Sequence, residues 1–256
     1  MRISRNLLML ILFASLCFAG CVKSDISSSQ SLTLNVSSDA TLPDLSKCKV
    51  RRIYQIDFNG LASALFTYNK AGNPYSVIYS DRGTGVNDHF FIYDAKNRLT
   101  EYQLDWVGYP NERHYYSHNA MDQVAKDSAV YRDCCGSIVA INVSTIEYDT
   151  KGRVVKEIIV NKFNRDAPLG PIHRSTYTYD SRGNLAVAGW KSSSYDYKIN
   201  PLRQNPVFQF IFRNYSMNNA AVQPKYNSIG LPLSIKPSND NFFNELETVK
   251  VIYDCQ

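Results

Sequence analysis

The stretch YDTKGRV, residues 148–154, decides the fold, because the chain writes it five times with small changes. The other copies are YNKAGNP at 68–74, YDAKNRL at 93–99, YDSRGNL at 179–185 and YNSIGLP at 226–232. Each places Asn69, Asp94, Asp149, Asp180 or Asn227 directly after a tyrosine, and Gly72, Asn97, Gly152, Gly183 or Gly230 three residues further on. Gly and Asn are the residues that most readily accept positive φ. An Asx side chain at the start of a turn accepts a hydrogen bond from a backbone N–H two residues on. Together they predict a type I turn closed by a left-handed residue, a common connection between hairpin strands. Asn97 is informative, since where Gly is absent the other residue that tolerates this backbone replaces it. The motif is a backbone device before it is anything else.

The flanks carry strand periodicity. Thr100, Tyr102, Leu104 and Trp106 alternate with Glu101, Gln103 and Asp105, which is the period of a half-buried strand. Val154-Val155, Ile158-Ile159-Val160 and Leu185-Ala186-Val187 follow their turns with residues suited to a pleated sheet. Pro74 and Pro232 stand at strand starts, where a missing N–H is tolerated. Tyr68 and Tyr93 lie 25 residues apart and Tyr93 and Tyr148 lie 55 apart, so a degenerate copy is expected between the latter two, around Tyr116 in HYYSHNAMDQVAKDSAVY (114–131). Hairpins joined end to end give an antiparallel meander whose units bury their apolar faces only by stacking edge to edge. The fold class expected is therefore all-β, one domain of hairpins over residues 48–256, with a helical turn near Pro201 to Asn205.

The N-terminus reads as an address. Arg2 and Arg5 precede a 14-residue apolar run, Leu7 to Gly20, too short for a membrane span of about 20 residues and ending in small residues as signal peptides do. Phe18-Ala19-Gly20-Cys21 resembles a bacterial lipobox. That resemblance implies removal of residues 1–20 as a lipoprotein signal peptide and lipidation of Cys21; the alternative is a plain secretory signal with Cys21 as a surplus thiol. Val22 is not the aspartate that resembles an inner-membrane retention signal, so the expected location is the bacterial outer membrane, lipid-anchored, facing the periplasm or the surface. Residues 21–47 form the tether: 22–47 hold eight serines and no aromatic, a composition that cannot offset chain entropy by burial. Loss of residues 1–20 leaves 26 basic residues against 23 acidic. With both signs interspersed there is no nucleic-acid footprint, and no nucleic-acid partner is expected.

Four cysteines remain after Cys17 and Cys21: Cys48, Cys134, Cys135 and Cys255. In an oxidising compartment an even number favours pairing. Cys48 and Cys255 are expected to staple the first strand to the last, a long loop for which the chain-entropy model gives about 5 kcal/mol. Cys134 and Cys135 can bond to each other only through a strained ring, so they are free or vicinally paired; the alternative places each of them on a terminal cysteine.

Candidate chemistry is thin. His114 and His118 on a strand would be about 13 Å apart, too far to share a metal. Asp88-His89 and Asp133 read as solvated polar residues in turns. The sequence holds no G-x-S-x-G elbow, no H-E-x-x-H and no phosphate-binding glycine loop. No catalytic residue, metal or cofactor is expected. Among the aromatics, which include 18 tyrosines, Trp106 and Trp190 are the candidates for a ligand-facing platform, although most aromatics are expected to fill the packed face of the sheet.

Tyr-Asp-x-x-Gly-Arg is the hallmark of YD repeats, also called RHS repeats, and YDTKGRV resembles it most closely. Long RHS proteins wind dozens of copies into a shell around a toxin, and five or six copies are too few for that. The chain is similar to small envelope lipoproteins of unknown function that carry a few such repeats, down to its ending NPVFQFIF, SMNNAA, YNSIGLPLSI and VIYDC. The resemblance covers roughly Cys48 to the terminus and implies no catalytic residues. The function expected is a non-enzymatic envelope lipoprotein that presents a β-sheet for binding or scaffolding, held at the membrane by its lipid, with a glycan or an envelope protein as partner. The alternatives are a glycan-binding accessory lipoprotein that uses exposed aromatics, and an enzyme with dispersed catalytic residues.

Overall fold

The computed structural model describes residues 45–55, 62–80, 86–106, 109–163, 168–186, 195–219, 225–236 and 248–255. Cys21, Trp190, the signal peptide and most of the tether lie outside them. Leu45–Lys47 already forms a 3-10 turn, so defined structure starts ahead of the boundary drawn at Cys48. The strands are β1 Cys48–Gln55, β2 Ser63–Tyr68, β3 Pro74–Tyr79, β4 Asp88–Tyr93, β5 Leu99–Trp106, β6 Tyr109–His118, β7 Val124–Arg132, β8 Ile138–Tyr148, β9 Val154–Lys162, β10 Ile172–Thr176, β11 Thr178–Tyr179, β12 Leu185–Ala186, β13 Ser234–Ile235 and β14 Val249–Cys255. A 3-10 turn, Pro201–Gln204, and a short helix α1, Pro206–Ile211, precede β13. β1 to β10 lie in chain order in one antiparallel sheet of twelve strands, and β14 returns to pair with β1, carrying β13 on the outside.

The turn occurs seven times among the described residues, at Asn69, Asp94, Asn119, Asp133, Asp149, Asp180 and Asn227. In every one the Asx Oδ1 accepts from the backbone N–H groups two and four residues on, at 2.8 to 3.2 Å. The residue three places on has positive φ: Gly72 at 85°, Asn97 at 60°, Asp122 at 59°, Gly136 at 81°, Gly152 at 74°, Gly183 at 84° and Gly230 at 88°. The ladder slips by one residue beside each of the five sheet turns, as a bulge closed by a left-handed residue requires. The degenerate copy is therefore not centred on Tyr116, which lies inside β6. Its turn runs from Asn119 to Asp122, with His118 in the tyrosine slot. Asp133 is an exposed turn residue, as read from sequence, and it opens the turn between β7 and β8.

The repeated tyrosine bridges one hairpin to the one before it. Tyr68, Tyr93, Tyr148 and Tyr179 of the repeat, and Tyr253 of β14, donate their hydroxyls to the carbonyls of Val50, Pro74, Val124, Val154 and Pro232, at 2.7 to 2.9 Å, whereas Tyr226 of the fifth copy donates to Asp196 Oδ2. The last four acceptors each stand two residues after a turn's left-handed residue. A proline fits there because the position is used through its carbonyl and not its N–H. Burial pushes all five phenols upward, Tyr148 to about 12, so they stay protonated donors.

One face of the sheet is covered by the segment that follows β12. Phe208 of α1 meets Phe66 and Phe91 edge-on, with centroids at 6.1 and 6.2 Å, and Phe210 meets Tyr116 at 5.4 Å. These rings lie with Val77, Tyr102, Ile146 and Val251 in one core. The helix is begun by Asn205, whose Oδ1 accepts from the Val207 N–H and whose amide donates to the Gly72 carbonyl of the first turn. Cys48 and Cys255 are joined by a disulfide across paired positions of β1 and β14. Cys134 and Cys135 are free thiols.

Candidate functional site

Beneath the cover lies a group of charged side chains contributed by alternate positions of neighbouring strands. Glu112 and His114 project from β6, Asp127 from β7 and Glu157 from β9. His114 Nδ1 lies 2.8 Å from Asp127 Oδ2, and its Nε2 lies 2.8 Å from Glu112 Oε1. Arg213, just beyond α1, donates to Glu157 at 2.9 Å and stands 3.9 Å from Asp127. Tyr177 donates to the other oxygen of Glu157 at 3.4 Å. Arg213 holds φ at 51°, a conformation few non-glycine residues adopt, and it is what aims the guanidinium down at the sheet.

Burial alone would lower the His114 pKa. The hydrogen bonds to Asp127 and Glu112 outweigh it and push the group up to about 9. The ring is thus an imidazolium at neutral pH with both N–H groups donated to carboxylates. Arg213 would likewise fall by burial, and Glu157 reverses the direction. An imidazolium with no free nitrogen is neither a general base nor a metal ligand. The cluster's evident role is to pin the covering segment to the sheet. Asp88 and His89, read from sequence as solvated turn residues, are also buried: each is 2% exposed on β4. Asp88 Oδ1 accepts from the Tyr79 N–H, and His89 Nδ1 lies 2.6 Å from the Tyr102 hydroxyl. The error came from judging residue types without the alternation that places His89 and Phe91 on the same face.

A cavity of about 330 Å³ opens where β1 and β2 part beyond the Arg52–Leu65 pair. There the Val50 N–H is taken by Gln204 Oε1 and its carbonyl by Tyr68. Lys47, Lys49 and Arg51 line it against one carboxylate, Asp254, a balance that suits an anionic group.

The opposite face of the sheet is not covered by any described residue at its middle. One row of register partners crosses seven strands: Ile92, Glu101, Tyr115, Ser128, Val143, Val160 and Ile172. Ile92, Tyr115, Val143 and Ile172 are 39, 42, 37 and 50% exposed. Of the two tryptophans proposed from sequence as ligand-facing, Trp106 ends β5 with its side chain outside the described atoms, and Trp190 lies outside the described residues.

All ten turn positions anticipated from sequence hold the geometry above. Asn119 with Asp122, and Asp133 with Gly136, form the same turn without the tyrosine that marks the other copies, since His118 and Arg132 precede them. The signal was Asx followed three residues later by Gly, Asn or Asp.

The sequence matches no protein-family model and no curated protein. Among solved structures the chain is similar to a porin-like protein from Bacteroides uniformis, with a TM-score of 0.37, 13% identity, and coverage of 81% of this chain and 98% of that one. It is also similar to the Photorhabdus luminescens Tc holotoxin pore carrying the TccC3-D651A mutation. There the TM-score is 0.21 at 11% identity, over 69% of this chain and 10% of that one. Both likenesses are loose.

Proposed function

We propose that the protein is a non-enzymatic bacterial envelope lipoprotein of the YD-repeat kind, anchored through Cys21, whose sheet presents a flat binding face to another envelope component. The observation that carries this reading is the row from Ile92 to Ile172 that no described residue covers, in which Ile92, Tyr115, Val143, Val160 and Ile172 stand on five of seven strands in register, with Glu101 and Ser128 between them. Clustered exposed apolar side chains of this kind mark interaction sites. In this reading His114, whose two ring nitrogens both meet carboxylates, is a structural group of the sheet.

Site-specific photo-crosslinking in cells tests the face. A crosslinker at Tyr115 or Val143 is expected to give a discrete adduct, and one at Tyr197, which is 85% exposed on the covering side, is not. Equal labelling at all three positions would remove the reading. Anchoring is checked separately: Cys21→Ser is expected to move the protein from the membrane to the soluble fraction.

A further inference from the structure

We propose that the turn between β7 and β8 is a thiol–disulfide exchange site, in which Cys134 and Cys135 form a reversible two-electron couple with small or protein disulfides as substrates. The two cysteines fill the variable positions of the turn from Asp133 to Gly136, which elsewhere hold Lys70-Ala71, Ala95-Lys96, Ala120-Met121, Thr150-Lys151, Ser181-Arg182 and Ser228-Ile229. None of those pairs is needed to make the turn, and the cysteines are not either. The turn is closed by the Gly136 N–H on the Asp133 carbonyl at 3.0 Å, the Asp133 N–H on the Ser137 carbonyl at 3.0 Å, and Asp133 Oδ1 on two further amides. Arg132 adds a bond to the Gly136 carbonyl at 2.8 Å. The thiols are therefore free for chemistry on a rigid support.

Their placement suits exchange. Both are exposed, the sulfurs stand 3.9 Å apart, and a disulfide requires an approach to about 2.05 Å. A Cβ at Gly136 would meet nothing within 4 Å, so the space beside the turn at that residue is open. In a meander the β7–β8 connection falls at the opposite end of the sheet from the turns of β2–β3, β4–β5, β6–β7 and β8–β9, and at the same end as the β5–β6 and β9–β10 connections. Because both thiols are exposed, an incoming disulfide RS–SR can reach them from solvent.

The step balances. One cysteine thiolate attacks a sulfur of RS–SR, an S–S bond forms to the protein, and RS⁻ leaves and takes up the proton the cysteine lost. The second thiolate then attacks the first protein sulfur, closing the Cys134–Cys135 bond and releasing a second RSH. The protein dithiol is oxidised by two electrons and the external disulfide is reduced to two thiols. A strained, exposed ring is more oxidising than a structural disulfide, so it should reopen under conditions that leave Cys48–Cys255, with Cys48 buried in the core, intact.

The full chain, extracted in mild detergent and equilibrated with oxidised and reduced glutathione at a series of ratios, tests this by differential alkylation and peptide mass. The expected result is a peptide containing Cys134 and Cys135 that is two hydrogens lighter on the oxidised side and recovers both thiols on the reduced side, while Cys48–Cys255 stays closed throughout. Cys134→Ser is expected to trap glutathione on Cys135, since the resolving thiol is gone. Two separate glutathione adducts on the wild-type pair, a disulfide-linked dimer, or no change over the whole series would each overturn the proposal. Cys134→Ser/Cys135→Ser, with an unchanged circular dichroism spectrum, verifies that the turn folds without sulfur.

Discussion

At the scale of single residues, His114 is the group whose charge most affects stability near neutral pH. Its ordinary value of 6.5 rises to about 9 in the fold. A histidine whose folded pKa is raised contributes stability that is fully present below the unfolded value and lost as pH rises through the folded one. Stability is therefore expected to fall between pH 6.5 and about 9, by on the order of 3 kcal/mol for a shift of this size. Urea unfolding across that range checks it, with His114→Gln as the comparison. If the variant shows the same slope as the parent, the histidine is not the source. The turn residues act through geometry instead. Gly183 sits at φ 84°, and an added Cβ would come within 2.9 Å of Met217 Cγ, so Gly183→Ala is expected to cost more than the 1–2 kcal/mol or so of left-handed strain alone. Gly136→Ala, at φ 81° with open space around it, should cost no more than that strain. A comparison of the two melting temperatures separates backbone strain from crowding.

At the scale of elements, the unit is a hairpin plus the tyrosine that holds it to the hairpin before. Tyr148→Phe removes only the bond to the Val124 carbonyl and should destabilise by about 0.5–1.5 kcal/mol. The third unit lacks this bond, because His118 stands in the slot, and by the spacing of the other units its acceptor is the Leu99 carbonyl. His118→Tyr is accordingly expected to raise the melting temperature. No change, or a decrease, would mean that the seam there differs from its neighbours. The hairpins were readable because Asx, a left-handed residue and period-two flanks all lie within a dozen residues. What the sequence left hidden was the use of the tyrosine hydroxyl, since its acceptor lies 18 to 25 residues upstream and nothing local marks it. The helical element was foreseen near Pro201 to Asn205 and continues one step further into α1, whose phenylalanines reach strands β2, β4 and β6.

At the scale of the whole molecule, the sheet has one face sealed by aromatic packing and buried ions and another whose middle no described residue covers. The sealed face could not be derived from strand patterns alone. Glu112, His114, Asp127 and Glu157 sit at inward positions, where charge makes sense only once Arg213 from a distant segment is placed over them. Buried ions are costly when one partner is lost, so the Arg213–Glu157 pair ties the cover to the sheet beside the packing of its short helix. Phe208→Ala removes the ring that meets β2 and β4 and should cost about 3–5 kcal/mol. If the cover and sheet form one cooperative unit, this variant unfolds in a single transition shared by tyrosine fluorescence and far-UV circular dichroism. If the cover detaches first, protease would cut near Arg213 well below the main transition, and the ion cluster would then be a latch rather than part of the core. Single-transition behaviour is the expected outcome, because Arg213, Gln204 and Asn205 each tie the cover to a different part of the sheet: β9, β1 and the first turn.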